Sequence, residues 1–237
     1  MIKNWLKNIF EKNNEEWRTD NSIFKLVISN LDEKGKLKNN LPDLPDEVKG
    51  DDKLRLAPGL LDALSMQVEN SNQEITVLSQ LLKKIALKGD KTSEQEFYRI
   101  ITETKVNFTI IYQFLQSIGE LGLPIEPYLF NFAKDLTIRS DNRNAVKFGI
   151  ALSGLCSNQS IIKDLKILGL HDEFTVYVAN SIMNLSDDSE KELWELAQKV
   201  DGWGKIHLVD RLAKPGLTKP IKDWLIFEGY KNNIMNE

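Results

Sequence analysis

Apolar residues recur along most of the chain at the three-and-four spacing of a helical face. Ile2, Trp5, Leu6, Ile9 and Phe10 share one face over Met1 to Lys12, with lysines and asparagines opposite, and predict a short amphipathic helix. A second apolar stretch runs from Ile23 to Leu31. The same spacing joins Leu60, Leu61 and Leu64, then Ile75, Leu78, Leu81, Leu82 and Ile85, then Phe97, Ile100, Ile101, Ile111, Phe114, Leu115 and Ile118. Sustained two-residue alternation, the mark of a half-buried strand, is missing from the pattern. An all-α chain is expected.

Helix-stop and helix-start residues fall between these runs. They cluster at Gly89 to Ser93, Gly119 to Pro127, Ser140 to Asn142, Ser157 to Ser160, Gly169 to Asp172, Ser186 to Ser189, Asp201 to Gly204 and Pro215 to Pro220. The connections are short, as between helices that lie antiparallel. Residues 32–56, rich in Asp, Lys, Asn, Gly and Pro, read as loop. The chain therefore divides into an N-terminal part, 1–56, and a helical domain, 57–237.

Sliding the second half against itself by thirty positions brings three apolar rows into register: Val146, Val176 and Ile206; Gly149, Ala179 and Val209; Leu152, Ile182 and Leu212. The i, i+3, i+6 spacing defines one buried stripe in three helices, with small residues in the middle row where helices approach closely. Partner helices lie between them, carrying Leu129, Phe132 and Leu136; Ile162, Leu165 and Leu168; Leu193, Leu196 and Val200; Ile221, Trp224 and Leu225. Each unit reads as a helical hairpin, and hairpins that cannot bury their own apolar faces stack on one another.

The run Asn142-Arg143-Asn144-Ala145-Val146-Lys147-Phe148-Gly149-Ile150-Ala151-Leu152 resembles the inner helix of a HEAT-type hairpin. Over roughly residues 120–230 the chain resembles the HEAT and armadillo helical repeats in their short, thirty-residue form. This resemblance implies an α-α superhelix, a solenoid of antiparallel helical hairpins, and it implies architecture more than activity. Gly202-Trp203-Gly204-Lys205-Ile206-His207-Leu208-Val209-Asp210-Arg211-Leu212, followed by Lys222-Asp223-Trp224-Leu225, is also similar to a group of uncharacterised bacterial proteins. Some of that group carry a hydroxylase label. Cys156 lacks the glycine-containing ligand loop of a haem thiolate, and two histidines are too few for a non-haem iron triad, so the label is not carried over.

Composition narrows the function classes. The 41% hydrophobic and 28% charged shares are those of an ordinary folded chain. With 31 basic against 35 acidic residues the formal charge is -4, so no global field draws the protein onto a polyphosphate, and nucleic acid is not an expected partner. One cysteine rules out an internal disulfide, and with only His171 and His207 beside it a zinc site of usual type is not expected. No secretion signal or transmembrane stretch is found in the pattern, and a cytoplasmic protein without cofactor or metal is the expectation. Membrane attachment could arise only through residues 1–12.

The thirty-residue register also aligns polar positions. Arg143, Glu173 and Trp203 form one row; Lys147, Tyr177 and His207 a second; Ile150, Asn180 and Asp210 a third; Ala151, Ser181 and Arg211 a fourth. If these are inner helices, the rows make a concave face. Its candidate binding residues are Arg143, Lys147, Tyr177, Asn180, Trp203, His207, Asp210 and Arg211, a mixture of aromatic anchors, arginines and adaptable polar groups suited to a protein or peptide. The bland alternative is that these side chains are solvated or make inter-helix bonds.

Catalysis has less to stand on. Trp203, Asp210 and Arg211 lie within a helical turn of His207, yet no serine elbow or activated cysteine accompanies the imidazole. Cys156 follows Leu152 and Leu155 on an apolar stripe and reads as a buried thiol, and Asp187-Asp188-Ser189-Glu190 reads as a helix start. The function expected is a noncatalytic protein- or peptide-binding scaffold. The alternative is a HEAT-like enzyme of nucleobase or tetrapyrrole chemistry, with Trp203, Tyr177 and Asp210 in the concavity and a local basic strip of Lys134, Arg139, Arg143, Lys147, Lys163 and Lys166.

Overall fold

The computed structural model describes residues 17–47, 72–103, 108–119 and 121–232. Among them the chain forms eleven α-helices and no strand beyond an isolated bridge between Leu31 and Leu37. The helix expected over Met1 to Lys12 and the pattern at Leu60, Leu61 and Leu64 lie outside the described residues.

Helix α1 spans Ile23–Ser29, α2 Asn72–Lys88, α3 Lys91–Glu103 and α4 Phe108–Gly119. The second half follows as α5 Tyr128–Arg139, α6 Arg143–Ser153, α7 Ile162–Leu168, α8 Asp172–Leu185, α9 Ser189–Ala197, α10 Gly202–Leu212 and α11 Lys219–Trp224. The punctuation read from the sequence supplies the caps. Asn142 accepts hydrogen bonds from the backbone N–H groups of Asn144 and Ala145, and Ser22 accepts from Lys25. Pro220 sits in the first turn of α11, where its missing N–H costs nothing.

Helices adjacent in sequence touch: α5 lies on α6, and α9 on α10. α8 is flanked by α6 on one side and α10 on the other, and also meets α7 and α9. The third apolar row is interior throughout, since Leu152, Ile182 and Leu212 are all fully buried. The other two rows fade toward the chain end, where Ile206 and Val209 are only half-buried. Gly149 marks a close approach, but to the hairpin partner: a Cβ there would sit 2.6 Å from the backbone nitrogen of Thr137 on α5.

Hydrogen bonds cross between these neighbouring helices. Ser181 Oγ donates to the Ile150 carbonyl at 2.8 Å, and Gly154 lies directly against Ser181. Removing water from such a pair is tolerable only because both partners are satisfied.

Residues 17–47 join the same core. Trp17, Ile23, Val27 and Leu44 belong to one hydrophobic cluster with the helices that follow. Trp17 stacks on Tyr98 with ring centroids 4.9 Å apart and meets Phe132 edge-on, while Arg18 bridges Glu94 and Asp135. Both Arg18 and Glu94 are buried there. No helix among the described residues is long and apolar enough to cross a membrane.

Candidate functional site

The polar rows run over α6, α8 and α10, and the structure separates them into a covered half and an accessible half. The covered half begins at α6. The Arg143 backbone N–H donates to Asp46 Oδ2 at 2.8 Å, and its guanidinium also holds Asp46 and pairs with Glu47. Acidic residues 46 and 47 therefore neutralise the positive end of α6 as well as the side chain. One turn on, Lys147 is 4% exposed and its Nζ lies 2.6 Å from Glu173 Oε1. The same ammonium stands 5.2 Å from the centroid of the Tyr177 ring, which is 2% exposed and faces Phe108 of α4 at 5.7 Å.

Arg143, Lys147 and Tyr177 were expected on an open concave face. Lys147 and Tyr177 are instead interior, joined with Glu173 in an ion pair and a cation-π contact between α6 and α8, and Arg143 is half-buried beneath the 44–47 segment. The rows were right in placing Lys147 beside Tyr177. What covers them comes from α4 and from the N-terminal part, which helical spacing does not reveal.

The accessible half lies on α8 and α10. Asn180 Oδ1 accepts from Arg211 Nε at 3.3 Å and Nη2 at 3.2 Å, and Arg211 Nη1 donates to the His207 carbonyl at 3.0 Å. Burial pushes the arginine's pKa down, with Asp210 opposing it. Trp203, His207, Asn180 and Arg211 are half-buried and Asp210 is exposed. This is a polar ridge held in place by the two Arg211–Asn180 hydrogen bonds between helices.

The candidate basic strip is largely neutralised. Besides Arg143 and Lys147, Lys166 pairs with Glu192 and Glu195, and Arg139 approaches Asp135 at 3.9 Å.

Cys156 is 3% exposed, donates its S–H to the Leu152 carbonyl, and burial, with Glu126 adding to it, pushes its pKa up to about 12. A thiol so placed is a poor nucleophile. Among the described residues no three His, Cys, Asp or Glu side chains converge as a metal site.

The residues at the start of α8 carry more than the sequence indicated. His171 is its N-cap, with Nδ1 accepting from the Glu173 N–H at 3.2 Å, and burial holds the imidazole pKa down at about 4. Asp172 turns the other way, toward α10, where Oδ1 accepts from the Gly204 N–H at 3.2 Å. Burial raises its pKa to about 6 in spite of that bond. The Gly202-Trp203-Gly204 segment fits around it: Gly202 has φ +67°, and a Cβ would lie 2.2 Å from Asp172 Oδ2; on Gly204 it would lie 2.6 Å from Thr175 Oγ1. Thus the glycines were visible in the sequence, whereas the carboxylate that requires them lies thirty residues earlier and could not be matched to them by motif.

His171 and Asp172 also line a cleft of about 610 Å³, closed on its other sides by residues 32–39 and by Lys199 to Gly202. No known protein family, curated protein or solved structure matches the chain.

Proposed function

We propose that the protein is a noncatalytic binding scaffold, a short HEAT-like solenoid that holds a protein or peptide on the α8–α10 ridge. The observation that supports this is the Asn180–Arg211 bond, which fixes a ridge whose neighbours Trp203, His207 and Asp210 keep access to solvent. An aromatic ring on the same helix as a preorganised arginine and an exposed carboxylate is the composition of an interface anchor. The nearby titratable groups favour binding over catalysis: Cys156 is buried, His171 caps a helix and Asp172 is committed to Gly204. A reducing, cytoplasmic setting accords with the single free thiol.

The alternative of a HEAT-like enzyme acting on nucleobases draws less support, because the lysines and arginines it would use against phosphates are paired with carboxylates. The test is site-specific photo-crosslinking in the native cell, with the reactive group at residue 210 and, as control, at exposed Lys163 on α7. A partner captured from 210, absent from 163 and lost on adding Trp203→Ala, is the expected result. The same set of captured proteins at both positions would remove the ridge as a binding site.

A further inference from the structure

The cleft at the start of α8 and α10 holds a hydrogen-bond donor that no described residue receives. His171 is 9% exposed, and its Nδ1 accepts from the Glu173 backbone N–H. A nitrogen that accepts carries no proton, so the neutral ring bears its hydrogen on Nε2. That Nε2–H has no partner among the described residues, and His171 lies in the cleft wall. An imidazole so buried, with one nitrogen pinned by the backbone, presents the other in a single orientation.

The surrounding charges are unevenly committed. Asp32 uses Oδ1 to accept from the N–H groups of Lys34 and Lys36, and Asp172 is bonded to Gly204. By contrast Lys36, Lys38 and Lys199 make no ion pair among the described residues, although all three line the cleft. Lys199 reaches the 32–39 segment, since a Cβ on Gly35 would lie 3.7 Å from its Nζ. Lys205 on α10 has its pKa lowered mainly by burial, with Asp201 and Glu228 opposing the shift and Lys36 and Lys231 adding to it. Asp201, exposed to water, is the one lining carboxylate with no hydrogen bond to the backbone among the described residues. The cleft also lies at the N-terminal ends of two helices of 14 and 11 residues.

We propose that this cleft is a binding site for a small oxyanion, a phosphate or carboxylate group, which accepts from His171 Nε2–H and is neutralised by Lys36, Lys38 and Lys199. The site stands apart from the α8–α10 ridge and does not depend on the scaffold reading. Its histidine donates as a neutral group, so binding persists well above the range in which imidazoles ordinarily titrate.

The test uses the full chain with nitrogen-labelled histidine, titrated at neutral pH with inorganic phosphate, and separately with acetate, against sodium chloride at matched ionic strength. A saturable shift of the His171 Nε2 resonance, larger than that of His207, is expected with phosphate. Saturation with acetate as well assigns the site to carboxylates and phosphates alike, and phosphate alone assigns it to phosphates. Lys36 and Lys199 are exposed, so K36Q/K199Q keeps the fold and weakens the binding by about tenfold or more. Asn caps helices well, so with Oδ1 in the place of Nδ1 His171→Asn retains the cap and loses the ring edge that carries Nε2–H, its own amide N–H groups stopping one bond short of that position; calorimetric titration with phosphate is expected to lose most of its heat. Shifts no larger than chloride produces, or undiminished binding in K36Q/K199Q, would overturn the proposal. Phosphate affinity undiminished in a folded His171→Asn chain would overturn it too.

Discussion

Asp172 reaches from the first residue of α8 to the first turn of α10, where its Oδ1 accepts from the Gly204 N–H at 3.2 Å. The carboxylate then occupies the volume that side chains at 202 and 204 would need. An aspartate thus caps a helix it does not belong to, and two glycines are the complement of its shape. Gly202→Ala adds a positive φ to the clash, and Gly204→Ala presses on Thr175 as well. Each substitution is expected to destabilise the protein by ~1–3 kcal/mol, Gly202→Ala by the greater amount. Urea unfolding followed by circular dichroism measures it, and equal midpoints for both variants and the parent would contradict the account.

His171 and Asp172 are neighbours that respond to acid in opposite senses. His171 keeps its neutral form in the fold, its pKa lowered by burial from 6.5 to about 4, so its contribution to stability is present above 6.5 and is lost as pH falls toward 4. Asp172, raised by burial from 3.8 to about 6, disfavours the fold when charged, and that cost is relieved over nearly the same descent. Unfolding midpoints between pH 7 and 4 should therefore fall less steeply in His171→Asn than in the parent. In Asp172→Asn they should fall more steeply. Parallel profiles for all three proteins would show that neither group titrates differently in the fold.

The Lys147–Glu173 pair is interior on both sides, with side chains 5% and 11% exposed. Lys147→Met strands a carboxylate in the core, and a loss of about 3 kcal/mol is expected. Replacing both residues by Met should recover most of it, since two buried charges are exchanged for two apolar side chains. The double-mutant cycle decides the matter: additive losses would mean that the two residues do not act as a pair.

Cys156 should be silent toward a thiol-specific disulfide reagent in the folded protein. Burial and the raised thiol pKa both suppress the thiolate. Its modification should appear only in denaturant, with a midpoint that coincides with unfolding by circular dichroism. Rapid stoichiometric labelling of the native chain would place the thiol at the surface.

The sequence carried the helices well because their boundaries are written in local chemistry. Asn142 and Pro220 stand where caps and first turns require them, and Leu152, Ile182 and Leu212 take the buried positions that their common register predicted. The candidate site was legible only in part. Spacing along a helix identifies residues that share a face, and it brought Lys147 to Tyr177 and Asn180 close to Arg211. It carries no information on which distant segment lies over that face, and Asp46, Glu47 and Phe108 are the residues that close it. In the sequence His171 counts only as one of two histidines, too few for a zinc site. Its cap bond depends on a backbone turn of two residues, and its exposure to the cleft depends on residues 32–39, far away in the chain.

The Arg18 contacts set an order in time. Its guanidinium is held by Glu94, 76 positions later, and by Asp135, 117 positions later, while the Thr19 N–H donates to the carbonyl of Arg139. A chain made from its N-terminus has no partner for this strap until Glu94 has been made, and lacks the full set until Arg139. Trp17 must wait as well, because Tyr98 and Phe132 are the rings it packs against. The first described residues to be made are thus among the later ones to find their places, and a nascent chain halted before residue 94 would carry a tryptophan without its rings beside an arginine without its carboxylates.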